Sequence, residues 1–251
     1  SWENKNKPNS SWQIQKIVHM KLALIGYGKM GKAIEEIAKQ RGHEIGLIIH
    51  SSNPEAFNKE NLQQCDVAIE FTNPESAIKN INTCFDAGIP VVCGSTGWSM
   101  ADIHYKHGTL LFASNFSVGA NLFFALNKKL AALMANHPEY QVVVEEIHHT
   151  AKKDSPSGTA ITLAKQIIEA RPELTHWVNN KTGTPGALSI ISKRTDPAPG
   201  THHVSYASSI DDIEIIHTAH NRTGFATGAV LAAEFLKGKK GIYQMNDVLG
   251  M

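Results

Sequence analysis

The stretch "KLALIGYGKMGKAIEEIAKQRG" (Lys21 to Gly42) decides the fold. After Lys21, Leu22 to Ile25 form a continuous apolar run, as a strand buried on both faces requires. From Met30 onward, Ala33, Ile34, Ile37 and Ala38 recur at helical spacing, and the pattern stops at Gly42. Between strand and helix stands "GYGKMG" (Gly26 to Gly31). Gly26 and Gly28 let the backbone turn tightly and approach a pyrophosphate. The free N–H groups and positive dipole end of the following helix favour its charge. A glycine loop with a strand before it and a helix after it reads as a dinucleotide-binding βα unit; a plain strand-to-helix turn is the competing reading.

Moving outward, the same alternation continues. "EIGLIIH" (44–50), "DVAIEF" (66–71), "IPVVCGS" and "TLLFAS" are further strands. "PESAIKNINTCFDAG" is a helix opened by Pro74 and closed by Gly88, with Ala77, Ile81, Cys84 and Phe85 on one face. Near residue 118 the pattern changes. A long apolar helix, "VGANLFFALNKKLAALMA", leads into "YQVVVEEIHH". Three strand-like runs then follow in succession, "LSIISKR", "THHVSYAS" and "DIEIIHTAH", before a closing helix, "TGFATGAVLAAEFLKG". Consecutive strands without crossover helices indicate a second sheet. The expected class is α/β: a Rossmann-type doubly wound parallel sheet with a second α+β domain on a mixed sheet.

Bulk properties narrow the function. The chain has 251 residues, 42% hydrophobic and 19% charged, which is a globular and not a disordered composition. A net charge of +1 gives no field suited to nucleic acid, and no apolar run approaches membrane-spanning length. Cys65, Cys84 and Cys93 lack metal or redox spacing and sit in apolar runs, as small buried hydrophobes in a reducing, cytoplasmic compartment would. Residues 1–19 are polar, lack a signal-peptide core and precede a natural start at Met20, so they are taken as an extension outside the functional argument.

An NAD-selective site usually ends its second strand in Asp or Glu, which holds the ribose hydroxyls. Here that end reads His50-Ser51-Ser52, with Lys29 and Lys32 nearby. A 2′-phosphate would not be repelled, so the residues lean toward NADPH or toward use of both NADPH and NADH. Three other strand ends, "FTNPE" (71–75), "CGSTGW" (93–98) and "ASNFSVGAN" (113–121), place small polar residues on the same rim, where the nicotinamide would lie.

The densest chemistry is in "EEIHHTAKKDSPSGTA" (Glu145 to Ala160). The strand ends near His148 and a helix begins around Ser157-Gly158-Thr159, with Pro156 fitting its first turn and Ser155 or Ser157 capping it. Ile161, Ala164 and Ile168 are its expected buried stripe. The free N–H groups of Gly158 and Thr159 form a seat for a carboxylate, and Lys152, Lys153, His148 and His149 add cations and proton donors around it. The set suits a small dianionic acid whose carbon skeleton must gain a proton. A metal is not expected: His202-His203 could add ligands, but no spacing resembles a zinc signature. A serine-hydrolase elbow is missing as well.

The combination of "GYGKMG", "FTNPE", "CGSTGW", "SNFSVGAN", "EIHHTAKKDSPSGTA" and "HNRTGFATGA" resembles the 4-hydroxy-tetrahydrodipicolinate reductase family of the diaminopimelate route to lysine. The HH-x-x-K-x-D-x-PSGTA string is the specific part. The resemblance implies a dinucleotide-binding domain over 20–117, completed by 220–251, and a substrate-binding domain over 118–219 that assembles a homotetramer. It implies His148 as catalytic acid/base, Lys152 as second proton donor, and His149, Gly158 and Thr159 as carboxylate ligands. Cofactor contacts carry over to Gly26, Tyr27, Gly28, Lys29, Met30, His50, Gly94, Ser95, Thr96, Ala113, Ser114, Asn115 and Phe116. Departures from the family pattern are a glycine loop one residue shorter than the commoner form, Ser95 for threonine, Ser155 for alanine and Asp196 for glycine. Two other readings stay open: a different two-domain NAD(P)-dependent amino-acid or semialdehyde dehydrogenase, and a non-enzymatic dinucleotide-sensing regulator. The reductase reading requires that the rim of the first sheet and the imidazole of His148 meet in space.

Overall fold

The computed structural model describes residues 19–103 and 108–251. Apart from His19, the N-terminal extension lies outside the described residues. The strands are β1 (Lys21–Ile25), β2 (Glu44–Ile49), β3 (Val67–Glu70), β4 (Val91–Cys93), β5 (Thr109–Phe112), β6 (Gln141–His148), β7 (His176–Val178), β8 (Ala187–Arg194), β9 (Thr201–Ala207), β10 (Asp212–Thr218) and β11 (Gly241–Tyr243). The α-helices are α1 (Lys29–Gln40), α2 (Lys59–Leu62), α3 (Pro74–Ala87), α4 (Val118–Met134), α5 (Gly158–Ala170), α6 (Thr223–Leu236) and α7 (Met245–Leu249).

Six parallel strands form one sheet in the order β11-β5-β4-β3-β1-β2. The chain moves from β1 outward to β2, then crosses back to β3 on the other side. The order therefore reverses beside β1, where doubly wound sheets open a ligand crevice. Leu22, Ala23, Leu24 and Ile25 are all buried, which explains the unbroken apolar run. One layer of core joins Leu22, Leu24, Ile34 and Ala38 to Val230, Ala233 and Leu236 of α6. The last 30 or so residues thus complete the first sheet's packing: α6 covers one face and β11 adds its edge strand. A salt bridge fixes this return, with Arg41 Nε donating to Glu234 Oε1 at 2.8 Å and His43 Nε2 lying 2.7 Å from the same oxygen.

The second sheet is mixed, in the order β10-β9-β6-β8-β7, with β6 antiparallel to β9 and parallel to β8. Alternation sends Val144, Glu146 and His148 of β6 and His202, Val204 and Tyr206 of β9 to one face. There α4 and α5 cover Val144, Ile190 and Val204 with Phe123, Ala131, Leu163 and Ile167. Each such buried Val, Leu, Ile or Phe side chain contributes about 1.5–3 kcal/mol. The stripe of α5 is Ala160, Leu163, Ala164 and Ile167, one step round the helix from the expected Ile161, Ala164 and Ile168. The shift arises because α4 and the sheet share that helix, so the buried face is wider than one seam.

Candidate active site

The rim of the first sheet is built by close backbone approach. Gly26 takes φ +95°, and a Cβ there would stand 2.2 Å from the Phe71 carbonyl oxygen. A Cβ on Gly94 would fall 2.1 Å from the Phe71 ring. Thr72 N donates to Ser95 Oγ at 2.9 Å and Trp98 Nε1 to the Ser95 carbonyl at 2.7 Å, stitching the strand ends to one another. Beneath them Glu70, fully buried, accepts from Thr72 N at 3.1 Å and Cys93 Sγ at 3.1 Å, and also from the Thr72 hydroxyl. Gly28 caps α1 without a side-chain bond, and a Cβ there would meet nothing within 4 Å. Bare N–H groups at the start of a long helix, open space beside Gly28 and contact-limited glycines behind it fit a dinucleotide pyrophosphate.

Other residues of the expected cofactor set are placed differently. Tyr27 hydrogen-bonds Glu35, which raises the phenol above its ordinary range, and Lys32 Nζ lies 5.9 Å over the Tyr27 ring. Lys29 is exposed, as is His50 at the end of β2, whose Nδ1 lies 2.6 Å from Ser52 Oγ. Phe116 is 2% exposed, its ring tilted against that of Phe71 with centroids 5.5 Å apart, and its backbone against Gly228 of α6. Its side chain is core, so only its backbone is free to border a ligand.

A cavity of about 800 Å³ is walled by His148, His149, Lys152, Gly158 and Thr159 from the second sheet's motif and by Ser114 and Asn115 from the end of β5. A second cavity of about 400 Å³ carries Ser95, Thr96, Ala113 and Gln244 and shares Ser114, Asn115, Phe124 and Thr162 with the first. The distant segments meet there. His217, His220, Asn221 and Arg222 add a further wall: the last three open the "HNRTGFATGA" string, while His217 of β10 was read only as part of a strand.

The α5 N-terminus falls where expected, with Ser157 as its cap; only Pro156 departs, standing before the cap and not in the first turn. Gly158 is the first helical residue, Ser157 is the cap and accepts from Ala160 N at 3.2 Å, and Pro156 precedes the cap after a cis bond. Ser155 instead bonds Asn179 Nδ2 at 3.0 Å. Ser157 N is taken by Glu146, at 3.0 Å to Oε1 and 3.1 Å to Oε2, while Gly158 and Thr159, the first two residues of α5, line the cavity. Lys152 Nζ lies 2.8 Å from Asp154 Oδ1 and draws that carboxyl below its usual range.

Glu146 is the residue sequence reasoning passed over. It is fully buried and accepts from Ser192 Oγ at 2.7 Å and Arg194 Nη2 at 3.3 Å in addition to Ser157 N. Burial drives its carboxyl upward, but the bonds from Ser157 and Ser192 outweigh that and hold it below the ordinary range. His148 Nδ1 stands 3.4 Å from its Oε2, and His202 Nε2 stands 3.8 Å from it. Burial lowers the proton affinity of His148, against the pull of Glu146; for His202, burial pushes the value down to about 4. These three side chains bring one ligand atom each within 4.8 Å of one another. Arg194 on the same carboxylate opposes a divalent ion there. His203, the other histidine considered as a ligand, faces the opposite side of the sheet beside Glu214, at 3.4 Å.

Residues 20–116 match the family model described as dihydrodipicolinate reductase, N-terminus, and residues 119–249 match the corresponding C-terminus. A protein named 4-hydroxy-tetrahydrodipicolinate reductase from Christiangramia forsetii is 50% identical over 237 residues, covering 92% of this chain and 98% of the relative. One of the same name from Ralstonia pickettii is 30% identical, covering 92% and 100%. Among solved structures, a dipicolinate-bound dihydrodipicolinate reductase from Paenisporosarcina sp. TG-14 superposes with a TM-score of 0.72 at 21% identity, covering 90% of this chain and 98% of that one. Aspartate semialdehyde dehydrogenase II from Vibrio cholerae reaches only 0.53 at 12%, with 87% and 98% covered. The two structures share the fold; the sequence matches carry the relationship. With both family models matched in order along nearly the whole chain, it belongs to the dihydrodipicolinate reductase family.

Proposed function

We propose that this family's reaction, the NAD(P)H-dependent reduction of 4-hydroxy-tetrahydrodipicolinate with loss of water, runs in the 800 Å³ cavity with His148 as proton donor and Lys152 beside it. The observation that carries this is the shared wall: His148, Lys152, Gly158 and Thr159 line the same space as Ser114 and Asn115 from the strand-end rim. Gly26 to Met30 would hold the pyrophosphate, and the backbone at Gly94 to Thr96 and Ala113 to Phe116 the nicotinamide end. When bound, the reduced nicotinamide supplies a hydride. Gly158 and Thr159 N–H groups, with His149, seat one substrate carboxylate at the helix N-terminus. After water leaves, hydride addition to the conjugated ring leaves an enamine, and His148 gives the adjacent carbon its proton. The Lys152 ammonium offsets negative charge developing on the ring.

The chain's units follow from this: 20–117 with 220–251 would hold the cofactor and 118–219 the substrate. The β6-β9-β10 face opposite α4 and α5 carries Val143, Ile147 and Ile216 beside the Glu145–Lys193 pair at 2.6 Å, a half-apolar surface suited to homotetramer contacts. Among the described residues no helix is long and apolar enough to cross a membrane. The test is turnover. Mixed with the condensation product of pyruvate and aspartate semialdehyde, the protein should consume NADPH or NADH. No consumption, together with reduction of aspartate semialdehyde alone, would favour the dehydrogenase reading.

A further inference from the structure

A proton donor buried on a strand must be held in one tautomer, or its transferable proton points the wrong way. The neutral ring left after each turnover keeps a proton on one nitrogen only, and whatever faces the two nitrogens decides which. In His148 they face different surroundings. Nδ1 is sealed from solvent and makes no hydrogen bond among the described residues; Glu146 Oε2 stands 3.4 Å from it. Nε2 lies on the cavity side beside Gly200, where a Cβ would come within 3.2 Å of it. We infer that Glu146 is the positioning residue of the proton donor: its carboxylate keeps a proton on His148 Nδ1, so that the transferable proton sits on Nε2. This rests on the reading of His148 as donor.

The arrangement of Glu146 supports the role. It sits two residues before His148 on β6 and therefore on the same sheet face. Its own oxygens are fixed from three directions, by Ser157 N at the head of α5, Ser192 Oγ and Arg194. The same carboxylate thus holds the N-terminus of α5 and stands beside the imidazole. The groups facing His148 are Glu146 on its own strand, Lys152 and Asp154 from the following loop, Arg194 on β8, and His202 on β9, whose ring lies 5.0 Å away. His217 on β10 adds its field at His202. Among them only Glu146 and Asp154 favour the imidazolium, and Asp154 is engaged by Lys152. Glu146 is the charge that keeps His148 protonatable in this basic surrounding.

The experiment compares pH profiles of kcat for the wild type, Glu146→Gln, Glu146→Asp and His148→Gln, alongside cofactor affinity. Glu146→Gln should lower kcat at pH 7 by roughly tenfold or more, and move the high-pH limb toward acid by about one pH unit. Cofactor Kd should stay as in the wild type, and Glu146→Asp should restore the limb in part. An unmoved limb in Glu146→Gln overturns the pairing. If His148→Gln retains the wild-type limb, the donor reading itself fails; if it abolishes the activity while Glu146→Gln keeps the limb, only the pairing fails. Should Glu146→Gln not fold, long-range ¹H–¹⁵N correlation of the neutral His148 ring in the wild-type protein decides. Nδ1–H supports the inference and Nε2–H overturns it.

Discussion

The two sheets present themselves to ligands in opposite ways. The six-stranded sheet offers backbone: its rim is glycine packed on carbonyl and ring at Gly26, Phe71 and Gly94, with bare helix N–H groups beyond. The five-stranded sheet offers ionisable side chains, with Glu146, His148 and His202 each under 10% exposed and held against one another. A backbone site fails when atoms are added to it, while a side-chain site fails when charge is removed. Substitutions in the two regions should therefore produce different phenotypes, and that difference can be tested.

The largest effect is expected on the side-chain half. His148→Ala or Lys152→Ala should reduce kcat by roughly a hundredfold or more, with cofactor affinity near wild type by fluorescence titration. Loss of cofactor binding in either would erase the distinction between the halves. On the backbone half, Gly26→Ala adds a Cβ 2.2 Å from Phe71 O at a φ that L residues resist. Roughly 2–4 kcal/mol of stability should go, visible in urea melts, together with cofactor affinity.

The buried histidine makes acid stability a third test. The folded value of His202 is about 4 against an ordinary 6.5, so the unfolded chain takes up a proton that the folded one refuses. The stabilisation is whole above 6.5 and is lost as pH falls toward 4. Roughly 2 kcal/mol should disappear between pH 7 and pH 5, and His202→Asn should flatten that slope. A fourth test concerns His148, which burial leaves with a weakened proton affinity in the free protein. Activity that needs the imidazolium falls as pH rises. A bound dianion should strengthen its hold on the proton, placing the kcat limb at higher pH than the kcat/KM limb. The smallest effect is on cofactor choice. His50→Asp puts a carboxylate at the end of β2, where it should shift preference several-fold toward NADH.

Much of this was legible in the residues, but unevenly. β1, α1 and the glycine loop declared themselves because strand, turn and helix signals agree over twenty residues. The motif at 145–160 did so because its chemistry is dense. β7 and β11 went unseen: with three residues each, they are strands only because β8 and β5 offer edges to pair with. The reversal of strand order beside β1 is likewise a property of the assembled sheet. Glu146 was readable in principle, since position i−2 from His148 on a strand shares its face, but its partners Ser157, Ser192 and Arg194 come from up to 48 residues away. His202 was visible only as half of a histidine pair; alternation with Val204 and Tyr206 is what turns it inward.

The most direct test is a crystal structure with oxidised cofactor and dipicolinate bound together. The account predicts one ligand carboxylate on the N–H groups of Gly158 and Thr159, the nicotinamide against the strand ends at Ser95 and Ser114, and His148 Nε2 within about 4 Å of the ligand ring. A ligand ring lying beyond the reach of His148, with the carboxylates held elsewhere, would contradict it.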